Sequence, residues 1–205
     1  MSSNFTLNIH TQILRYHIPL LFTLCIFLTA YFHSELIHQF NFNRSKIIEG
    51  EWWRLFSANL LHTNWNHALL NIAGLWIIWY IYWDIGNRLT QWAFILIPVL
   101  INTLPLFLFV PHIEWYVGLS GALHGTIVAF GIADFRNSKF LSLGLLVGVT
   151  IKLSYEVMMG SSEWIENFIG DGVVVEAHVA GALSGIIAGI GYLILIPKLQ
   201  TASSN

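Results

Sequence analysis

Charge is what this chain lacks. Its 205 residues include 11 acidic and 9 basic side chains, 10% in all, where a soluble domain carries about 25%. A chain so poor in charge, 56% hydrophobic and with a mean hydropathy of +0.65, belongs in a lipid bilayer. The net charge of −2 supplies no basic surface and argues against a nucleic-acid partner. Cysteine is nearly absent: Cys25 alone cannot close an internal disulfide, and within an apolar run it is silent about redox compartment. No His-Glu-x-x-His string occurs, which excludes that class of metalloprotease. Neither a metal nor a cofactor is expected. Long linkers, repeats and low-complexity tracts are also missing, so residues 1–205 read as one domain. The first apolar run ends at Tyr31-Phe32-His33 and not at a small-residue cleavage site, which makes it a retained helix.

What the chain does have is long apolar runs. A short polar tail, 1–16, precedes six of them, roughly 17–33, 62–83, 91–110, 118–134, 141–158 and 173–196. About 20 residues cross a bilayer as a helix, with a range near 17–25. The expected fold is therefore an all-α, polytopic, six-span membrane bundle. The fourth and fifth runs are marginal in length and are expected to be sheltered by the others. The long segment 34–61 carries Trp52-Trp53-Arg54, residues suited to the headgroup level. It reads as an interfacial anchor or as a structured loop lying in the outer leaflet. Segment 159–172, with Trp164 and the Gly170-Asp171-Gly172 turn, reads as a flexible cap over the last two spans.

Basic residues in short loops set orientation. With the N-terminus cytoplasmic, Arg15, Arg88, Arg136, Lys139 and Lys198 lie inside and Arg44, Lys46 and Arg54 outside, which favours that arrangement. Even-numbered spans all begin on the same face of the membrane. Ser120 begins the fourth, His67 and Asn71 stand near the start of the second, and His178 stands near the start of the sixth. The polar side chains thus share one depth, toward the outer side.

Polar side chains inside a span are costly and face a bundle interior or a cavity. Ser120 lies among Gly118, Gly121 and Gly125, where a helix begins and its first N–H groups have no partner. Such a serine reads as a nucleophile whose developing oxyanion the helix start could hold. The same small residues also serve tight helix packing in membranes. A nucleophilic serine needs a base, and His67, His124 and His178 are the candidates. His178, Gly181 and Gly185 fall on one helix face, which could approach the Gly118/Gly121/Ala122/Gly125 face closely and bring His178 to Ser120. His124, four residues after Ser120 on the same helix, ranks second as base and better as a group packed on His178 or touching substrate. His67 and Asn71, also four apart, can donate hydrogen bonds as an oxyanion site requires, or can form an interhelical clasp. His62 reads as structural. Lys152 and Glu156, four apart in the fifth run, neutralise one another, and Glu176 points away from His178; none of the three is given a catalytic role.

Together these residues resemble the rhomboid family of intramembrane serine proteases. The resemblance rests on Trp53-Arg54, His62-x4-His67-x3-Asn71, Gly118-Leu119-Ser120-Gly121 and Ala177-His178-x2-Gly181, in order and on the corresponding spans. It implies a Ser120–His178 dyad without an acidic third member, and an oxyanion site from the Ser120 N–H, His67 and Asn71. Many rhomboids stack an aromatic residue, often tyrosine, on the catalytic histidine from four positions after the serine. Here that position is His124, and a glycine common four before the Ala-His pair is replaced by Val173. The short chain and the Gly-Leu-Ser-Gly-Ala-Leu-His-Gly string look most like the rhombosortase branch. That branch implies a bacterial inner-membrane enzyme cutting C-terminal Gly-Gly sorting anchors from single-span exported proteins. Two rival readings are an inactive membrane protein that grips other spans and a haem-b electron carrier using the span histidines.

Overall fold

The computed structural model describes residues 2–202, with side chains over 16–195. Of the basic residues used for orientation, Arg15 and Lys198 lie outside the described side chains. Helix α1 runs Ser2–Tyr31, so the polar tail continues the first span as helix. Between it and the second long helix lie α2 (His33–Phe40), strand β1 (Phe42–Asn43), α3 (Arg44–Ile48), α4 (Arg54–Ser57) and a 3-10 turn at Ala58–Leu60. Then come α5 (Trp65–Tyr82), α6 (Arg88–Ile101), α7 (Thr103–Phe109), strand β2 (Trp115–Tyr116), α8 (Ser120–Asp134), α9 (Lys139–Met159), α10 (Glu163–Ile169) and α11 (Val175–Ala202).

Each apolar run becomes a helix or, for the third, a broken pair. Pro105 has no N–H for the Ile101 carbonyl, and the chain breaks at Asn102 between α6 and α7. Counted as one span, Arg88–Phe109 is long and apolar enough to cross a membrane, as are Lys139–Met159 and Val175–Leu195. Tyr16–Tyr31 with His33–Phe40 joins them only as a pair bent by 105°. The exposed side chains of these helices, such as Leu24, Leu28, Ile151, Val157, Ile187 and Ile194, form a large apolar surface suited to lipid.

Helix α8 is the hub. Its 15 residues span about 22 Å, short of the roughly 30 Å hydrocarbon core. It is buried from Gly121 to Asp134 along most of its length, packed by α11, α6, α9 and α5. At its far end Phe130 stacks on Tyr82 and meets Trp79 and Phe94 edge-on, with ring centroids 5.0–5.7 Å apart. The sheltering expected of the fourth run is therefore present. It is not present for the fifth: α9, long enough at 21 residues, buries only Ser142 among its described residues.

The α8–α11 contact is made of backbone. A side chain on Gly181 would collide with the Gly121 carbonyl, and one on Gly185 with the Gly125 carbonyl. From the other side, a Cβ on Gly121 would lie 2.7 Å from the Ala177 carbonyl oxygen. Small residues permit this approach, and dispersion between the two backbones holds it.

Segment 34–61 is a structured loop, tightly built although Trp52 and Trp53 are about half exposed. Arg54 is buried and bonds to the Glu51 carboxylate (2.7 Å), the Asn41 side chain and backbone, and the His38 carbonyl. Arg44 spreads its guanidinium over the carbonyls of Leu106, Phe107, Val110 and Ile113 at 2.6–2.9 Å, closing the C-terminal end of α7. Strand β1 pairs antiparallel with β2, Phe42 opposite Tyr116 and Asn43 opposite Trp115, which ties this loop to the approach to Ser120.

The glycine contact gives a contrast that can be measured. Gly185→Val should lower thermal stability in detergent by about 1–3 kcal/mol or more. Gly191→Ala, where no described atom lies within 4 Å of the added carbon, should unfold at or above the wild-type temperature.

Candidate active site

Ser120 opens α8. The preceding Leu119 offers no side-chain cap to the first turn of α8 among the described residues. The approach is held from three directions. Gly118 N–H donates to the Ala58 carbonyl (3.0 Å), Tyr116 Oη donates to the Gly118 carbonyl (2.6 Å), and β2 is paired. Burial pushes the Tyr116 phenol up to about 12, so it remains a donor at neutral pH. Gly118 has φ +128°, and a Cβ there would lie 2.9 Å from the His67 ring, so both backbone and space demand glycine.

Ser120 Oγ lies 2.9 Å from Nε2 of His178. The imidazole is buried near the start of α11, and its Nδ1 lies 2.9 Å from Oε2 of Glu156 on α9. With Nδ1–H donated to the carboxylate, Nε2 presents its lone pair to the serine hydroxyl. His124 stacks on the same ring, centroids 4.3 Å apart and planes 23° apart, while its Nδ1–H donates to the Ser120 carbonyl at 2.7 Å. His124 is thus packed on His178, in the place where an aromatic ring was expected, and does not face the serine hydroxyl. Both His178 nitrogens are engaged by protein groups, so this ring has none to offer a haem iron.

His67 and Asn71 stand on α5 across from Ser120, both buried. Asn71 Nδ2 donates to the His67 carbonyl (3.1 Å) and keeps a second N–H. His67 Nδ1 is 3.0 Å from Thr63 Oγ1, whose own proton goes to the Ile169 carbonyl. A hydroxyl has one proton to give, so Nδ1–H is the donor to Thr63 and Nε2 of the neutral ring carries a lone pair. His62 is buried with its ring edge-on to His67, centroids 4.9 Å apart. Glu176 points away from His178 and meets His112 at 3.2 Å, both well exposed.

The Rhomboid domain family model matches residues 49–195, well over half of the chain. The chain belongs to the rhomboid family. It is similar to Rhomboid protease GlpG from two strains of Klebsiella pneumoniae, 29% identical to each over 145 residues. The match covers 68% of this chain and 48% of each relative, so the chain spans about half the length of the curated relatives it matches.

Besides His124 and Val173, the site departs from the implied rhomboid pattern at an acidic group. The resemblance implied no acidic residue beyond the histidine, and Lys152 with Glu156 read as a self-contained pair. The pair exists, with Lys152 Nζ 2.7 Å from Glu156 Oε2, but that same oxygen also reaches His178. Glu156 is the site residue that sequence reasoning missed. Its signal was a carboxylate in a span, which by itself points to a polar interior.

A cavity of about 760 Å³ opens onto Ser120, His178, His67 and Asn71. Its remaining walls are largely aliphatic, including Leu70, Ile77, Ile127, Val149 and Ile165. Segment 159–172 covers one side as an ordered helix, α10, begun by the Ser162 cap and ended by Gly170 at φ +76°. Its C-terminal carbonyls accept from the start of α5: Phe168 from Asn64 and Asn66, and Ile169 from Thr63.

This geometry favours one serine over the others in the chain. A fluorophosphonate should add to Ser120, seen as a mass increment on the peptide that contains it. Labelling should be lost in His178→Ala and retained in His124→Phe, which keeps a ring against the imidazole.

Proposed function

We propose that this protein is an intramembrane serine endopeptidase in which Ser120 is the nucleophile and His178 the general base. The observation that carries this reading is the 2.9 Å contact between Ser120 Oγ and His178 Nε2 inside a rhomboid-family fold. As Oγ bonds to the substrate carbonyl carbon, its proton passes to Nε2 and the carbonyl electron pair moves to oxygen. Collapse breaks the C–N bond and returns the proton to the leaving amine. Water, deprotonated by the same nitrogen, then releases the acyl group.

The Ser120 N–H and the free N–H of Asn71 hold the oxyanion. His67 joins them when its proton sits on Nε2, the tautomer in which Thr63 donates to Nδ1 in place of the Ile169 carbonyl. Gly118, Gly121 and Gly181 support the site by letting backbone and ring come close. His124 supports it by fixing the plane of His178.

The whole chain acts as one six-span domain in a bacterial inner membrane, N-terminus inside and site toward the outer leaflet. The distribution of basic residues and the shared depth of the polar side chains support that orientation. Its substrates are single-span membrane proteins. A largely aliphatic cavity suits an apolar anchor, and the Gly-Leu-Ser-Gly-Ala-Leu-His-Gly string favours C-terminal Gly-Gly sorting anchors, as in the rhombosortase branch.

Co-expression with single-span proteins bearing such anchors tests the reading. Mass spectrometry should find new ends at or near the Gly-Gly pair with the wild type and none with Ser120→Ala or His178→Ala. Cutting that persists in Ser120→Ala would refute it. Asn71→Ala should lower kcat by roughly 10²–10³-fold, the usual loss for one oxyanion donor.

A further inference from the structure

We propose that Glu156 is a positioning residue for His178, completing a Ser120–His178–Glu156 relay in which α9 supplies the acid. The inference rests on the serine-protease reading above. Three observations carry it. Glu156 Oε2 and Ser120 Oγ lie at the two opposite nitrogens of one imidazole, each at 2.9 Å. The Glu156 and His178 side chains are 12% and 8% exposed, so their contact is shielded from water, whereas the Lys152 side chain is 45% exposed. And α9 otherwise turns a lipid-facing surface outward, so a carboxylate directed inward at an imidazole is not explained by packing.

A carboxylate can only accept, so it selects the ring tautomer with hydrogen on Nδ1 and leaves Nε2 free to take the serine proton. During attack the Oγ proton moves to Nε2 while the Nδ1 proton stays on the ring, and Glu156 stabilises the imidazolium without being protonated itself. Lys152 holds the same oxygen at 2.7 Å, a second contact that fixes the carboxylate in place. Its Nζ is 3.4 Å from Nδ1, but neither nitrogen accepts in this tautomer, so the lysine acts on the ring only through Glu156. His124 holds the ring face and Glu156 its edge.

The simpler alternative is that Glu156 does no more than neutralise Lys152. The two roles separate in a pair of variants, Glu156→Gln and Lys152→Met/Glu156→Gln, measured in the full chain. An amide carries no charge to stabilise the imidazolium, and once Lys152 no longer claims its oxygen it can turn its NH2 toward Nδ1 and favour the tautomer with hydrogen on Nε2, which cannot accept the serine proton. Glu156→Gln should therefore lower kcat at least about 100-fold, following the loss seen when a triad acid becomes an amide. KM should change little, and fluorophosphonate labelling of Ser120 should slow in parallel. The double variant, which leaves no unpaired charge to unfold the helix, should stay equally slow at an unchanged thermal unfolding temperature. Wild-type kcat in either variant would overturn the inference. If Ser120→Ala and His178→Ala are inactive while Glu156→Gln cuts normally, only the relay fails. If those two still cut, the protease reading itself fails.

Discussion

Glycine against glycine is the contact on which the site depends. Where Gly121 and Gly125 of α8 meet Gly181 and Gly185 of α11, carbonyl oxygens occupy the space that side chains would fill. That approach alone puts the first turn of α8 within a hydrogen bond of a side chain 58 positions later in the chain. Membrane helices gain no hydrophobic drive to associate, so close packing must supply what burial supplies in water. The same requirement explains why α8 can be short. It is enclosed by other helices and need not reach both headgroup layers.

Polar groups around this contact are placed by satisfied backbone. Arg44 caps the broken third helix, Arg54 knits segment 34–61 together, and the β1–β2 pair carries that segment to the strand before Ser120. Tyr116 and Ala58 then fix Gly118. An unpaired polar group in hydrocarbon costs several kcal/mol. The non-helical stretch is therefore held where its carbonyls find guanidinium, hydroxyl and backbone N–H partners. The serine inherits its rigidity from that network. The imidazole gets its own from three neighbours on three different faces: Ser120, Glu156 and His124.

Much of this could be read from the residues. Apolar runs gave the helices, and the i, i+3, i+7 spacing of His178, Gly181 and Gly185 gave the face that meets α8. What stayed hidden was non-local or conformational. Pro105 splits the third run because its ring lacks an N–H, an effect that hydropathy does not weigh. The exposure of α9 was missed because the run 141–158 looked marginal in length, whereas the helix extends over Lys139–Met159 and is long enough to cross without shelter. Glu156 was concealed by its own neighbour: a lysine four residues earlier is a sufficient partner on one helix, and nothing in the spacing reveals that α11 brings His178 to the same oxygen. Segment 159–172 looked flexible because glycines punctuate it, yet Gly170 ends α10, whose carbonyls are then taken up by Thr63, Asn64 and Asn66.

The most direct measurement is an experimental structure of the full-length protein in a lipid nanodisc. The account predicts Ser120 Oγ within about 3 Å of His178 Nε2, with the backbones of α8 and α11 touching at the glycines between them. An oxygen held beyond about 4 Å from that nitrogen, with lipid or another side chain between the two helices, would contradict it.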